Sequence, residues 1–191
     1  MKKLISFHSS RGGTGKTIIA TNLAALMAQR GLNVALIDLD FRAPSLYHIF
    51  REMVREPINF WVNDYLNSLC KPEDFLIEVR DSLNLNGSLV VGLANPSIYA
   101  IEDMLGKSRS WEANSLKKLM ELRKFLFNVL DVDLCIYDSS PGIQYSSLNA
   151  IVCSDKVVYV ATSDPLDIEG VRESLKEFSD IFGDKVMILL N

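Results

Sequence analysis

The feature that most constrains this chain is a glycine-rich stretch, Ser9 to Thr17, which reads SSRGGTGKT. A short apolar, β-prone run (residues 3–8) precedes it, and a run of good helix formers (18–30) follows it and stops at Gly31. Glycines let successive backbone N–H groups converge on an anion without Cβ clashes, and the helix N-terminus adds partial positive charge. Strand, glycine loop and helix in this order predict a phosphate-binding loop, so the chain is predicted to bind a nucleotide.

The last residues of this loop are of the types that a nucleoside triphosphate and its metal ion require. Lys16 would reach the β- and γ-phosphates, and the Thr17 hydroxyl would ligate Mg²⁺. The alternative is a glycine-rich turn that simply begins a helix, and it leaves the Gly-Lys-Thr sequence without a reason. The predicted nucleotide-binding residues of the loop are Gly12, Gly13, Thr14, Gly15, Lys16, Thr17 and Ile18.

Length and composition limit the class of protein further. The 191 residues are 48% hydrophobic, which is enough for one sizeable core, so we expect residues 1–191 to form a single domain. The net charge of −4 gives no general attraction to nucleic acid. Three widely spaced cysteines indicate neither a disulfide framework nor a zinc site. Because we find no signal peptide and no apolar run of membrane-spanning length, we expect a cytoplasmic protein without integral membrane contact.

Carboxylates follow two further apolar runs. Residues 34–38 read VALID and continue into Leu39-Asp40, while residues 134–137 read LCIY and lead into Asp138. Continuous apolar runs of this length are typical of strands buried on both faces of a parallel sheet. Ligands of doubly wound folds bind at the carboxyl ends of such strands, so we expect at least one of Asp38 and Asp40 to be functional. Asp138 could hold a Mg²⁺-bound water.

Strands that alternate with helices predict the fold class: an α/β protein with a doubly wound, mostly parallel sheet and helices on both faces. An amphipathic helix is predicted from Ser115 to Leu130, and a crossover helix from Asp167 to Phe178. Residues 47–69 read as a mixture of helix and loop. The densest basic cluster, which is either a solvated face or the place to seek a contact with DNA or a partner, is Lys117, Lys118, Arg123 and Lys124.

These motifs together resemble one family, the MinD/ParA-type ATPases with a deviant P-loop. Residues 11–17, RGGTGKT, are similar to that loop, which normally reads KGGxGKT. Residues 38–40 resemble the Asp-x-Asp of the family's second strand, and residues 134–142, LCIYDSSPG, resemble its Walker B and switch II segments. Residues 157–165 resemble the later strand and its proline-containing turn, and residues 186–191 the strand that ends in an adenine-reading Asn, here Asn191.

The resemblance implies an ATPase that uses ATP and Mg²⁺, with a role for each matching residue. Lys16 would stabilise the transferring phosphoryl group, Asp40 would orient or activate the attacking water, and Thr17 with Asp138 would organise Mg²⁺. Asp38 would support the site indirectly or belong to switch I. Ile18 stands where a second Thr or Ser commonly follows, which leaves one hydroxyl fewer for phosphate.

Arg11 replaces the family's signature lysine, which reaches across a nucleotide-sandwich dimer to the partner's phosphates. Arginine keeps the charge and offers a planar fork suited to phosphate oxygens, but its reach and hydration differ. Arg11 is therefore predicted either to act in trans as an arginine finger or to mark a member that binds nucleotide without the usual dimer.

For the biological output, the resemblance implies slow hydrolysis that times an ATP-dependent homodimer, under the control of an unidentified regulatory protein, in partitioning or positioning. Residues 38–45 (DLDFRAPS) look most like the Asp-x-Asp-x-Arg-x-Pro-Ser of Mrp-type iron–sulfur carriers and bacterial tyrosine autokinases. A metal-centre maturation or carrier ATPase is therefore an alternative, although the carriers' Cys-x-x-Cys is not found. A tyrosine autokinase domain and a non-hydrolysing nucleotide sensor are the others. The family typically continues past its adenine-reading Asn, so we expect this domain to lack those C-terminal helices.

Overall fold

The computed structural model describes residues 2–54, 57–79, 85–177 and 183–191. The strands of its seven-stranded sheet are β1 (Lys3–His8), β2 (Asn33–Leu39), β3 (Leu76–Glu78), β4 (Ser88–Gly92), β5 (Leu134–Ser139), β6 (Lys156–Ala161) and β7 (Val186–Leu190). The helices are α1 (Lys16–Gln29), α2 (Leu46–Phe50), α3 (Val62–Leu66), α4 (Pro72–Phe75), α5 (Ile98–Leu105), α6 (Arg109–Asn128), α7 (Tyr145–Cys153) and α8 (Pro165–Glu177), with a short 3-10 helix over Gly183–Lys185.

The strand order is β3-β4-β2-β5-β1-β6-β7, and every neighbouring pair is parallel except β3 with β4. The predicted doubly wound, mostly parallel sheet is confirmed. The central register places Asp138 of β5 between Asp38 of β2 and Phe7 of β1. Because β1, β2 and β5 are parallel neighbours, the loops that follow them meet at one edge of the sheet. That edge holds the glycine loop and the carboxylates.

Alternate residues of the buried strands face the two sides of the sheet, which produces two main apolar clusters. On one side, Val34 and Leu36 pack with Ala20, Ala24 and Ala28 of α1. On the other side, Ala35 and Ile37 pack with residues of α3, α6 and α7. Three alanines at a spacing of four give α1 a smooth stripe that lies directly on the sheet, so the helix that follows the glycine loop has a fixed position.

The helices on the second face differ from the sequence expectation in their starting points. Helix α6 begins at Arg109 rather than Ser115, because the Ser108 hydroxyl accepts a hydrogen bond from the Trp111 N–H at 3.3 Å and caps it. Helix α8 begins at Pro165 rather than Asp167, as proline suits a first helical turn. Its predicted end, Phe178, lies outside the described residues.

The region before β4 contains an element that the sequence did not predict. Strand β3 has three residues and pairs with β4 antiparallel, so it forms one edge of the sheet. Its length is too short for a recognisable alternation of apolar and polar residues. The helical spacing found in residues 47–69 corresponds to two short helices, α2 and α3.

Candidate functional site

The glycine loop, Ser9–Thr17, connects β1 to α1 and is called the phosphate loop below. Gly13 and Gly15 have φ values of 83° and 87°, in the left-handed region that glycine adopts at little cost. Apart from the adjoining residues, no atom of the described part of the chain lies within 4 Å of where a Cβ on Gly12 or Gly13 would stand, so the space beside these two glycines is open. Thr14 is buried, and its hydroxyl oxygen has no hydrogen-bond partner among the described residues. The loop therefore has the shape of an open anion cradle at a helix N-terminus.

Lys16, the first residue of α1, is buried against Asp138 at the end of β5. Its Nζ lies 2.6 Å from Asp138 Oδ1, and the two side chains are 6% and 0% exposed. Burial raises the pKa of the Asp138 carboxyl above its ordinary value, although the Lys16 ammonium and the Thr17 hydroxyl both act to lower it. Three residues that the sequence assigned to phosphate and metal binding thus lie together.

The surroundings of the second oxygen of Asp138 indicate whether a metal ion would fit at this site. Asp138 Oδ2 is buried, and it accepts no hydrogen bond of good geometry from the described residues. A buried carboxylate oxygen without a donor is costly unless something else binds it. Carboxylate and hydroxyl oxygens are ligands that Mg²⁺ accepts, and the Thr17 side chain lies near the same carboxylate. These residues fit the predicted Mg²⁺.

Asp38 and Asp40, on either side of Leu39, have different surroundings. The two oxygens of Asp38 accept hydrogen bonds from the backbone N–H groups of Asp40, at 3.0 Å, and Leu46, at 3.3 Å. Burial, together with the nearby carboxylates Asp138 and Asp40, holds the pKa of Asp38 well above its ordinary value. Asp38 therefore shapes the turn after β2, and its indirect role at the site stays a prediction.

Asp40 is bonded to the turn that follows β5. Its Oδ1 accepts hydrogen bonds from the Ser140 hydroxyl at 3.0 Å and from the Ala43 N–H at 3.2 Å. The side chain is 6% exposed, so it is nearly buried at the same edge of the sheet as the phosphate loop. The carboxylate is thus oriented by two donors on two different segments.

Arg11 of the phosphate loop forms ion pairs with two carboxylates, Asp164 and Asp167. Its Nη2 lies 2.8 Å from Asp164 Oδ2, and its Nε lies 2.6 Å from Asp167 Oδ1. Asp164 lies in the turn between β6 and α8, and Asp167 lies in the first turn of α8. Hydrogen bonds from Arg11 and from the Leu166 N–H, in that order, lower the pKa of Asp164. In this structure both nitrogens therefore bind carboxylates of the same chain.

Asn191 is hydrogen-bonded to the phosphate loop, whereas the Ile18 side chain is exposed. The Asn191 side-chain amide donates to the Thr14 carbonyl at 2.9 Å, and its backbone N–H donates to the Ala161 carbonyl at 2.8 Å. The last residue after β7 is thus attached directly to the phosphate loop. Ile18 is 64% exposed on the first turn of α1, so its side chain is free to meet a ligand or a partner.

The sequence reasoning did not identify Asp167 or His8 as part of the site. Asp167 is fully buried and bonded to the phosphate loop. The sequence pattern that could have identified it is its position three residues after Asp164 at the start of a helix, which is the spacing of a capping motif. His8 is the residue before the loop. Burial, and then the charge of Lys16, lower the pKa of His8 to about 4, so the ring is neutral near pH 7.

Part of the basic cluster on α6 is paired with carboxylates of the same chain. Lys117 and Lys118 lie 4.0 Å and 3.9 Å from carboxylate oxygens of Glu121. Arg123 binds Asp155 at 2.8 Å and also donates to a backbone carbonyl at 2.6 Å, which ties α6 to the segment before β6. Arg123 therefore has a structural role, and the cluster offers less free charge to DNA than its sequence indicated.

The architecture and the site define a class: a P-loop protein with a parallel sheet, a glycine loop and a lysine–aspartate pair at the sheet's carboxyl edge. A family model described as an AAA domain matches residues 2–187. The chain belongs to this family, within the MinD/ParA-type P-loop ATPases.

Two curated relatives cover almost the whole chain. The virulence plasmid ParA family protein pGP5-D of Chlamydia psittaci is 27% identical over 98% of this chain and 67% of its own length. The septum site-determining protein MinD of Thermotoga maritima is 26% identical over 100% of this chain and 64% of its own length. The chain therefore spans about two thirds of the length of these relatives.

Solved structures show the same fold. A plasmid partition protein of Borrelia burgdorferi superposes with a TM-score of 0.77 at 21% identity, covering 100% of this chain and 78% of that one. MinD of Pyrococcus horikoshii, in complex with Mg-ADP, gives a TM-score of 0.71 at 21% identity, covering 99% and 68%. Among the helices of the described residues, none has both the length and the apolar character needed to cross a membrane.

Proposed function

We propose that this protein binds ATP with Mg²⁺, hydrolyses it slowly, and acts as a nucleotide-controlled dimer switch in partitioning or positioning. The observation that carries the proposal is the buried pair of Lys16 and Asp138 at the open phosphate loop, with one oxygen of Asp138 left without a donor. An ammonium and a carboxylate buried at a helix N-terminus are the groups that a phosphate and its metal ion would engage.

Each residue would contribute a distinct part of the chemistry. Phosphate oxygens would compete with Asp138 for the Lys16 ammonium, and loop N–H groups would bind the remaining phosphate charge. Thr17 and Asp138 would hold Mg²⁺, which would supply charge neutralisation at the phosphates. Asp40, which Ser140 and the Ala43 N–H hold in place, would orient the attacking water and accept its proton.

The switch part of the proposal draws on the relatives and on Ser140. Proteins named for septum-site determination and plasmid partition are among those similar to this chain. One further solved structure is the MinC:MinD cell division complex of Aquifex aeolicus, with a TM-score of 0.74 at 19% identity, covering 99% of this chain and 68% of that one. Ser140 joins the turn after β5 to Asp40, so a change at one segment would move the other. A regulatory protein would read that change.

The test combines nucleotide binding, turnover and molecular mass by light scattering, each without nucleotide, with ADP and with ATP–Mg²⁺. The wild type should bind ATP and turn it over slowly, and Asp40→Ala should still bind ATP but lose turnover and accumulate as a dimer. Lys16→Ala should lose binding. Asp184→Ala and Lys117→Ala, which alter exposed side chains, are the matched controls and should behave like the wild type.

The outcomes separate the competing functions. Absence of ATP binding in the wild type would refute the proposal at its base. Binding without turnover in the wild type would favour the nucleotide sensor over the ATPase. A monomer under every condition, despite ATP turnover, would remove the dimer switch, and metal bound after purification would favour the maturation or carrier ATPase.

A further inference from the structure

Asp167, in the first turn of α8, joins the phosphate loop through one carboxylate oxygen and the turn after β6 through the other. Its Oδ1 accepts from Arg11 Nε at 2.6 Å and from the Ser10 hydroxyl at 3.3 Å. Its Oδ2 accepts from the Thr162 N–H at 3.1 Å and from the Thr162 hydroxyl at 2.5 Å. The side chain is 0% exposed. A buried carboxylate that four donors surround is fixed in place, and it fixes its partners in turn.

The backbone of α8 also approaches the loop directly. A Cβ added to Gly170, one turn after Asp167, would lie 2.6 Å from Ser10 Cβ and 2.9 Å from Ser10 Oγ. Only a residue without a side chain allows this approach. The Ser9 carbonyl is held separately by the Gly142 N–H at 2.8 Å. The first residues of the phosphate loop are thus located by α8 on one side and by the turn after β5 on the other.

We propose that Asp167 is a positioning residue that holds Ser10 and Arg11 and thereby sets the phosphate loop in the form that binds nucleotide. This inference rests on the proposed nucleotide-binding function. Asp167 would not touch the nucleotide itself, since its carboxylate oxygens already accept hydrogen bonds from Ser10, Arg11 and Thr162. Asp164 adds only one contact to Arg11 and is the weaker support.

The test uses variants that disturb the contact from its two sides. Asp167→Asn removes the charge, Asp167→Ala removes the acceptors, and Gly170→Ala pushes on Ser10 without changing any charge. Asp184→Asn, at an exposed site, is the matched control. Hydrogen exchange of the loop amides is measured without nucleotide, and affinities for ADP and for ATP–Mg²⁺ are measured separately, with urea unfolding to confirm that each variant is folded.

All three variants should exchange loop amides faster than the wild type and bind nucleotide about tenfold more weakly or worse. For the two Asp167 variants the cause is a lost charge-assisted hydrogen bond, and for Gly170→Ala it is the displacement of Ser10. The KM for ATP should rise while kcat changes less. Arg11→Ala combined with Asp167→Asn should weaken nucleotide binding by less than the sum of the two single effects on the binding free energy. A role limited to stability would change unfolding without this coupling.

Different failures point to different errors. Unchanged loop exchange in Asp167→Ala would overturn the positioning role. Faster exchange with unchanged nucleotide affinity would also overturn it, because the loop form would then not matter for binding. Faster exchange in a protein whose wild type binds no nucleotide would leave the attachment of the loop to α8 established, and would refute the proposed function instead.

Discussion

The pH dependence of stability provides a quantitative test of the site's electrostatics through His8. The ring is buried, lies 3.3 Å from the Ser139 hydroxyl and packs edge-on to Tyr159 at 5.0 Å. Its pKa is about 4 in the folded protein against an ordinary value of 6.5. Because the folded-state pKa is the lower one, the contribution of neutral His8 to stability is fully present above 6.5 and is lost as the pH falls through 4.

The magnitude follows from the two pKa values. Their difference corresponds to about 3 kcal/mol over the whole titration. Between about pH 7 and about pH 5, linkage predicts a loss of about 2 kcal/mol in the free energy of unfolding. Asp38 and Asp138 have raised pKa values and act in the opposite direction, since their contribution is present at low pH and is lost as the pH rises. Because the wild type and a His8 variant share these carboxyls, their contribution is removed when the two proteins are compared by difference.

The assay is urea unfolding of the wild type and of His8→Asn across this pH range, with His48→Asn as the control because that side chain is exposed. The difference in the free energy of unfolding between wild type and His8→Asn should change by about 2 kcal/mol between the two pH values, whatever the absolute cost of the substitution. Parallel curves for the two proteins would refute the reasoning, because they would mean that His8 titrates alike in the folded and unfolded chains.

Two substitutions in the phosphate loop give further expected outcomes. Gly15→Ala should lower the free energy of unfolding by about 1–3 kcal/mol and impair nucleotide binding, because φ is 87° and the new Cβ would lie 2.4 Å from Asn191 Nδ2. Gly12→Ala, whose Cβ would meet no atom of the described residues within 4 Å beyond its neighbours in sequence, should cost far less by the same urea titration. Lys16→Met should lower the free energy of unfolding by about 3 kcal/mol near pH 7, because it leaves buried Asp138 without its cation. A variant as stable as the wild type would show that the pair is not coupled.

Local patterns determined which parts of the fold could be predicted. The phosphate loop and the strand before Asp138 have signatures within a few residues of chain, namely glycines at fixed spacing and a continuous apolar run, and the structure has both where the sequence placed them. Strand β3 exists because β4 offers it an edge, so its three residues contain no signal of their own. The start of α6 depended on a serine cap that periodicity alone does not reveal.

The contacts within the site were predictable only in part, because they join distant parts of the chain. Lys16 and Asp138 could be assigned to one site from their motifs, but not to one ion pair, since 122 residues separate them. The attachment of Arg11 to Asp167 spans 156 residues, and nothing near Arg11 in sequence indicates a carboxylate partner. The same guanidinium could serve phosphate or carboxylate equally well, so its partner in this structure depends on the packing of α8 against the loop.

The charges at the carboxyl edge of the sheet explain why phosphate and metal would have to arrive together. Asp38, Asp40 and Asp138 lie at the ends of β2 and β5, and Lys16 is the cation that the structure shows bonded to this group. Phosphates that drew Lys16 away from Asp138 would leave buried carboxylates facing further negative charge, which low-polarity surroundings make costly. A divalent cation at Asp138 would replace the lost positive charge. In the proposed function, the Lys16 ammonium would therefore leave the Asp138 carboxylate as the metal ion binds to it, with Oδ2 as the oxygen that has no hydrogen bond to lose.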